Sequence, residues 1–245
     1  MTASMPDYSI IIPAFNEAAY LGDTLASVKN AQSSIAHRTG EIIVVDNNST
    51  DNTAQIAKSF GATVVFEPVN QISRARNCGA KAAKGKYLIF LDADTIISAQ
   101  LLGKTLELLD SGKIAGGGTV LDCSQTKLLK VKFLLHLWNL ISRSRKLAAG
   151  LYLFCLKQAW QDVGGFDESV YIAEELLFSK QLKKWAKKHK MNFRILDIPV
   201  QTSLRKFYWF RYSTIVSSLV LGSFVKKNKD KCRLWYDRFP QKHNQ

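Results

Sequence analysis

Across the first 95 residues, four short apolar runs alternate with three amphipathic stretches, and this alternation restricts the fold more than any other feature of the chain. SIIIPAF (9–15), EIIVVD (41–46), ATVVFE (62–67) and KYLIFLDAD (86–94) read as strands. Between them, NEAAYLGDTLASVKNA, STDNTAQIAKSF and ISRARNCGAKAAK read as helices. Near-continuous apolar, β-branched runs belong to strands buried on both faces, which is the pattern of a parallel sheet. The expectation is an α/β fold with a single Rossmann-like, mostly parallel sheet, flanking helices and right-handed crossovers.

Polar residues gather where these strands end: Asn16 and Glu17, then Asp46 to Asp51, then Asp92 and Asp94. In open α/β sheets the carboxyl ends of the strands border the ligand crevice, so three acidic clusters are expected along one rim. Beyond residue 95 the pattern loosens. A helix is expected from about Ala99 to Leu109, a strand over Ile114 to Leu121 and a basic amphipathic helix from Lys127 to Lys146. A strand at 150–157, a helix at 173–190, a strand near FRILDIPVQTS and an aromatic-rich helix from Tyr208 to Val225 complete the reading.

Each acidic cluster has a plain structural explanation beside a chemical one. Asp92 and Asp94 in FLDADT can bring oxygen ligands to a divalent cation, or can serve as turn and helix-cap residues. In VVDNNSTDNT, Asp and Asn suit a tight turn and Ser49 or Thr50 can cap the next helix, while Asp46 at a strand tip suits a base or ribose contact. Glu17 in PAFNE favours a helix dipole. Arg74 and Arg76 in ISRARNCG are cations near an acidic rim, suited to phosphate or a nucleobase, or else to solvent.

Taken together, PAFNE, VVDNNSTDNT, RARNCGAKAAKGKYLIFLDADT and VGGFDES with the later AEELLFS resemble family 2 glycosyltransferases in order and spacing, over roughly residues 8 to 205. The resemblance implies the GT-A fold and an inverting transfer from a nucleotide diphosphate sugar, a UDP- or GDP-sugar, to a carbohydrate or lipid-linked acceptor. It implies a nucleotide-binding half over about 8–95, an acceptor half over about 96–205 and a helical extension over 206–245. Pro13, Phe15 and Glu17 would line the nucleoside pocket, with Asp46 on the base and Arg76 beside it. Asp92 would sit near the ribose and metal, and Asp94 would ligate Mn2+ or Mg2+ on the diphosphate. The catalytic base falls at Glu174-Glu175, where the family has a Glu-Asp type motif; Glu175 is favoured and Glu174 stays open. TSLRKF resembles a Ser-x-Arg-Arg segment of some members, which would bring Arg205 to the donor diphosphate.

Lys and Arg outnumber Asp and Glu by 34 to 20, so the surface attracts anions. No acidic residue occurs from Cys123 to Gln161 or from Ile198 to Lys229. The Lys127–Lys146 segment, with six Lys or Arg among many apolar residues, fits either an interfacial helix or a core-packed helix with a basic outer face. A second basic apolar segment, Arg205 to Lys229, points the same way. The uncharged run from Tyr212 to Val225 is 14 residues, against roughly 20 for a span. The N-terminus reads as a strand rather than a leader. The expected location is cytoplasmic, peripheral on the membrane face. Cys78, Cys123, Cys155 and Cys232 lie too far apart in sequence to suggest a zinc site or disulfide framework.

Three rival readings compete. A dehydrogenase needs a glycine-rich turn after the first strand, which PAFNEAAY lacks. An Asp-x-Asp phosphatase expects Thr or Val where Ile96 stands, and its motif comes earlier in the fold. An inactive GT-A scaffold that binds membrane or nucleic acid accounts for the charge, but its acidic rim would repel phosphate without a metal, so nucleic acid is not an expected partner.

Overall fold

The computed structural model describes residues 5–203 except 36 and 125. In chain order the elements are β1 (Tyr8–Ala14), α1 (Leu21–Ser33), β2 (Gly40–Asp46), α2 (Thr53–Ser59), β3 (Thr63–Phe66), α3 (Ile72–Ala82), β4 (Tyr87–Leu91) and β5 (Thr95–Ile96). There follow α4 (Ala99–Asp110), β6 (Ile114–Leu121), α5 (Leu129–Arg145), β7 (Tyr152–Leu156), α6 (Lys157–Asp162), α7 (Glu174–Lys188) and β8 (Asn192–Thr202). The strands lie in the order β3-β2-β1-β4-β7-β6-β8-β5.

Strands β3, β2, β1 and β4 are parallel, as their buried sequences require. Side chains alternate between the two faces of the sheet, so consecutive residues enter different cores. Ile10, Ile12, Val44, Ile89 and Leu91 pack with Leu21, Leu25, Val28, Leu101 and Leu106 of α1 and α4. Ile11, Ile43, Val45, Leu88 and Phe90 pack with Ala75 and Ala80 of α3 and Phe178 and Leu182 of α7. Fully burying one such side chain contributes about 1.5–3 kcal/mol, which explains why the sheet needs helices on both faces.

The second half departs from simple parallel order. Strand β7 runs antiparallel to both β4 and β6, and β8 returns parallel to β6. The two-residue β5 pairs antiparallel with β8, and neither it nor α6 is evident in the sequence pattern. The NEAAYLGDTLASVKNA helix starts at Leu21, because Asn16 has φ 52° and the residues after it form a turn.

Strand β6 carries the run Gly116-Gly117-Gly118 for a steric reason. A Cβ on Gly117 would lie 2.0 Å from the carbonyl oxygen of Arg194 and 2.6 Å from the Phe154 ring. Gly117→Ala is therefore expected to destabilise the fold by about 3 kcal/mol, lowering Tm by roughly 6–12 °C in a chain of this size. A thermal denaturation midpoint equal to that of the parent would show that β6 and β8 approach less closely than this.

Candidate active site

The register of the parallel strands builds the rim. Ala14 lies opposite Asp46, and Asp46 opposite Phe66, so the turns after β1 and β2 leave the sheet side by side. They are laced together. The Asn16 amide donates to Ser49 Oγ at 3.0 Å, the Glu17 amide to Thr53 Oγ1 at 2.8 Å, and the Ala18 amide to Asp51 Oδ2 at 3.1 Å. Thr50 N donates back to Asn16 Oδ1 at 2.7 Å. Asn16 and Asn48 both adopt left-handed φ, which Asn tolerates because its side chain bonds locally. Asp46 Oδ1 accepts from the Ser49 amide at 2.9 Å, while Glu17 is buried and Phe15 half-buried. Pro13, expected in a nucleoside pocket, is itself enclosed in β1.

The Asp-x-Asp segment follows β4 and is pinned from three directions. Thr24 Oγ1 donates to the Ala93 carbonyl at 2.8 Å, and the Asp92 amide donates to Leu151 O at 3.2 Å. The Ser203 hydroxyl donates to Asp94 Oδ2, and the Ser203 amide donates to the Asp94 carbonyl at 3.1 Å. The two carboxylates thus meet different partners: Asp94 faces the end of β8, and Asp92 faces Arg76 of α3.

Arg76 is 2 % exposed. Its Nη1 donates to Glu174 Oε1 at 2.5 Å, and its Nη2 donates to Asp92 Oδ1 and to Gly150 O, both at 3.1 Å. The guanidinium also stands 5.3 Å from the centroid of Phe166. Burial disfavours the cation, but the carboxylates of Glu174, Asp92 and Glu175 outweigh that and hold its pKa above the usual value. The resemblance placed Arg76 beside the nucleobase. In the structure the side chain is committed inward, as a clamp between the Asp-x-Asp turn and the start of α7.

That start is set by backbone strain. Ala173 has φ 66°, a left-handed conformation that costs a non-glycine residue about 1–3 kcal/mol where it is held. Immediately after it, Glu174 is buried in the ion pair with Arg76, whereas Glu175 is half-buried. Burial, together with the charge of Glu174, pushes the Glu175 carboxyl up to about 8, against a smaller opposing effect of Arg76. The two neighbours are therefore chemically distinct: one neutralises a buried cation, and the other has a raised proton affinity.

No sequence pattern indicates how the VGGFDES loop is held. Asn77 Nδ2 donates to Phe166 O at 2.8 Å and to Glu168 Oε1 at 2.9 Å, and Asn77 Oδ1 accepts from the Phe166 amide at 2.9 Å. Gln71 Nε2 donates to Glu168 O and Val170 O at 2.8 and 2.9 Å. Gly165, with φ 74°, lets Phe166 stack on Phe178 at 4.2 Å. Asn77 of α3 and Gln71 just before it therefore fasten the loop that leads to the Glu174-Glu175 pair. Arg74 instead lies outside, bridging Glu67 and Glu168. Arg205 lies outside the described residues.

The chemistry of the donor set fits a divalent metal shared with a substrate. Among the described residues there is no group of three or more His, Cys, Asp or Glu that could enclose an ion. Asp94 and Asp92 would supply carboxylate oxygens, and phosphate oxygens would have to complete the shell, a common arrangement for Mg2+.

A parallel half with an acidic rim, continued by strands of mixed direction and a carboxylate pair tied to the rim through Arg76, fits the GT-A class of fold. The chain belongs to glycosyl transferase family 2, whose family model matches residues 9–155. The Bacillus subtilis minor teichoic acid biosynthesis protein GgaB is 26% identical over 94% of this chain, which spans 28% of that protein. The mannosyltransferase from Pyrobaculum calidifontis, solved with GDP-Man and Mn2+, superposes with a TM-score of 0.64 at 18% identity, covering 82% of this chain and 58% of its own. Glucosyl-3-phosphoglycerate synthase from Mycobacterium tuberculosis, solved with Mn2+, UDP and glucosyl-3-phosphoglycerate, superposes at 0.58 with 19% identity, covering 87% of this chain and 76% of its own.

Proposed function

We propose that this chain transfers a sugar from a nucleotide diphosphate donor to an acceptor hydroxyl with inversion at the anomeric carbon. The observation that carries the reading is the half-buried Glu175 beside the Asp92–Arg76–Glu174 ion cluster. The turns bearing Phe15, Glu17 and Asp46 take the nucleoside, and Pro13 fixes where the first turn leaves the sheet. Asp94 and Asp92 would hold Mn2+ or Mg2+. When bound, the metal would supply positive charge to offset that of the departing diphosphate.

Glu175 accepts the proton of the acceptor hydroxyl as its oxygen forms a bond to the anomeric carbon and the bond to the diphosphate breaks. Glu174, neutralised by Arg76, keeps the pair from carrying two unpaired charges. Arg205 closes on the diphosphate. The donor is a UDP- or GDP-sugar, a reading supported by the GDP-Man and the UDP of the two solved structures named above, and the acceptor is a carbohydrate or lipid-linked hydroxyl reached from the cytoplasmic side.

A panel of nucleotide sugars, each with and without Mn2+, tests the reading by thermal shift. A ligand at 100 times its Kd stabilises the folded state by about 2.7 kcal/mol, a clear rise in Tm. The expected result is stabilisation by one UDP- or GDP-sugar that needs the metal. A panel in which no nucleotide sugar stabilises the chain, with or without metal, would refute the assignment.

A further inference from the structure

Helix α5 is apolar on two opposite sides, and only one of them is used by the core. Val131, Leu134 and Leu135 point inward with Asn139, whose side chain bonds both backbone groups of Leu121 at 2.9 Å. On the opposite side Leu129, Phe133, His136 and Leu140 form a single line, at a spacing of four, three and four residues, which is one stripe of an α-helix. Leu129, Phe133 and Leu140 are 82%, 66% and 63% exposed. Three large apolar side chains in one row on the solvent side are more than scattered surface residues account for.

The flanks of the stripe are cationic. Lys130 and Lys132 stand beside its first half, and Arg143, Arg145 and Lys146 beyond its second, with no acidic residue in the whole stretch from Cys123 to Gln161. Of the flanking cations, Arg143 pairs with Asp197 at 2.6 Å. The basic surface continues onto α7, where Lys183 Nζ donates to Arg145 O at 2.8 Å. Burial and the nearby charges of Lys180 and Lys146 hold the Lys183 ammonium below its usual pKa, a sign of cations crowded together. Among the described residues no helix is long and apolar enough to cross a membrane.

We propose that the outer face of α5 docks on an anionic lipid bilayer, with Leu129, Phe133 and Leu140 entering the headgroup boundary and the flanking lysines and arginines contacting lipid phosphates. Charge selects this occupant over the others. A second copy of this face would bring cations against cations, and the segment 205–229 of this chain is likewise basic and free of acid. A bilayer with anionic lipids supplies both an apolar layer and negative charge. Docking has a use at the site: from α5 the chain runs directly to Gly150 and Leu151, whose carbonyls hold Arg76 and the Asp92 amide. A bilayer on this side suits a lipid-linked acceptor. That acceptor class deepens the transferase reading, whereas the docking itself does not depend on catalysis.

Vesicle co-sedimentation of the full chain tests the docking. Phosphatidylcholine vesicles are compared with an equal mixture of phosphatidylcholine and phosphatidylglycerol. Binding is expected to the mixed vesicles, weakening with added salt. The variant L129S/F133S/L140S and the variant K130E/K132E are each expected to lower the partition coefficient at least about tenfold. Tm and turnover with a water-soluble acceptor should be unchanged, so a failure of docking and a failure of transfer register in different assays. Parent-like binding of the serine variant, equal binding to both vesicle types, or binding to neither overturns the proposal. So does a marked fall in Tm of the serine variant, or its loss of a self-associated state, because either means that protein covers the stripe.

Discussion

Glu175→Gln is expected to lower the rate of transfer by about 10²- to 10⁴-fold, the usual cost of removing a general base, while donor binding survives. The amide preserves size and hydrogen bonding, so the loss reports the proton acceptor alone. The parent should show a matching pH dependence. With the carboxyl near 8, kcat/KM should rise about tenfold per pH unit below that value and level off above it. Stability should move in the opposite direction. A carboxyl ionising near 4.5 when unfolded and near 8 when folded binds its proton more tightly in the native state, so stability falls as pH rises between those values. Glu175→Gln should therefore raise Tm relative to the parent at pH values above about 8 and leave it nearly unchanged below about 4.5. If Glu174→Gln were to lose only the chemical step and Glu175→Gln were to transfer normally, the roles of the two neighbours would be reversed.

Asp94→Asn is expected to abolish metal-dependent donor turnover, at a cost of about 10²- to 10³-fold or more, the range seen when one electrostatic contact to a developing charge is removed. The substitution keeps an acceptor for the Ser203 hydroxyl, so circular dichroism and Tm without ligand should match the parent. The second readout is binding. Mn2+ should no longer enhance stabilisation by the nucleotide sugar that stabilises the parent. Full turnover in the Asn variant with Mn2+ present would remove Asp94 from the metal site.

The parallel half of the fold was legible because its strands carry their own signature. Ile10 to Ile12, Ile42 to Val45 and Leu88 to Leu91 are apolar at every position, and only a strand covered on both faces needs that. The run YLFCL in β7 has the same character, yet it enters the sheet antiparallel. Strand direction depends on which neighbours remain to be paired, which no local pattern records. The acidic rim was legible for the same reason as the strands, since strand ends locate it. The inward course of Arg76 left a clue in the sequence. Residues two apart on a helix point to different sides, so Arg74 and Arg76 cannot share a role. Arg76 falls on the face of Ser73, Asn77 and Ala80, the side of α3 that is buried. For α5, the sequence left an interfacial and a core-packed reading open, and the helix has a face suited to each.

The clamp centred on Arg76 also bears on how the molecule is made. Its two carboxylate partners lie 16 and 98 positions further along the chain. At about 5–20 residues per second, a ribosome reaches Glu174 roughly 5–20 s after Arg76 has been added. Through that interval the parallel strands can pair, but the guanidinium lacks its principal counter-charge, and β4 lacks its antiparallel neighbour until residues 152–156 have been added. The parallel half is thus no detachable module: its interior cation is neutralised in part by a carboxylate from the half synthesised last.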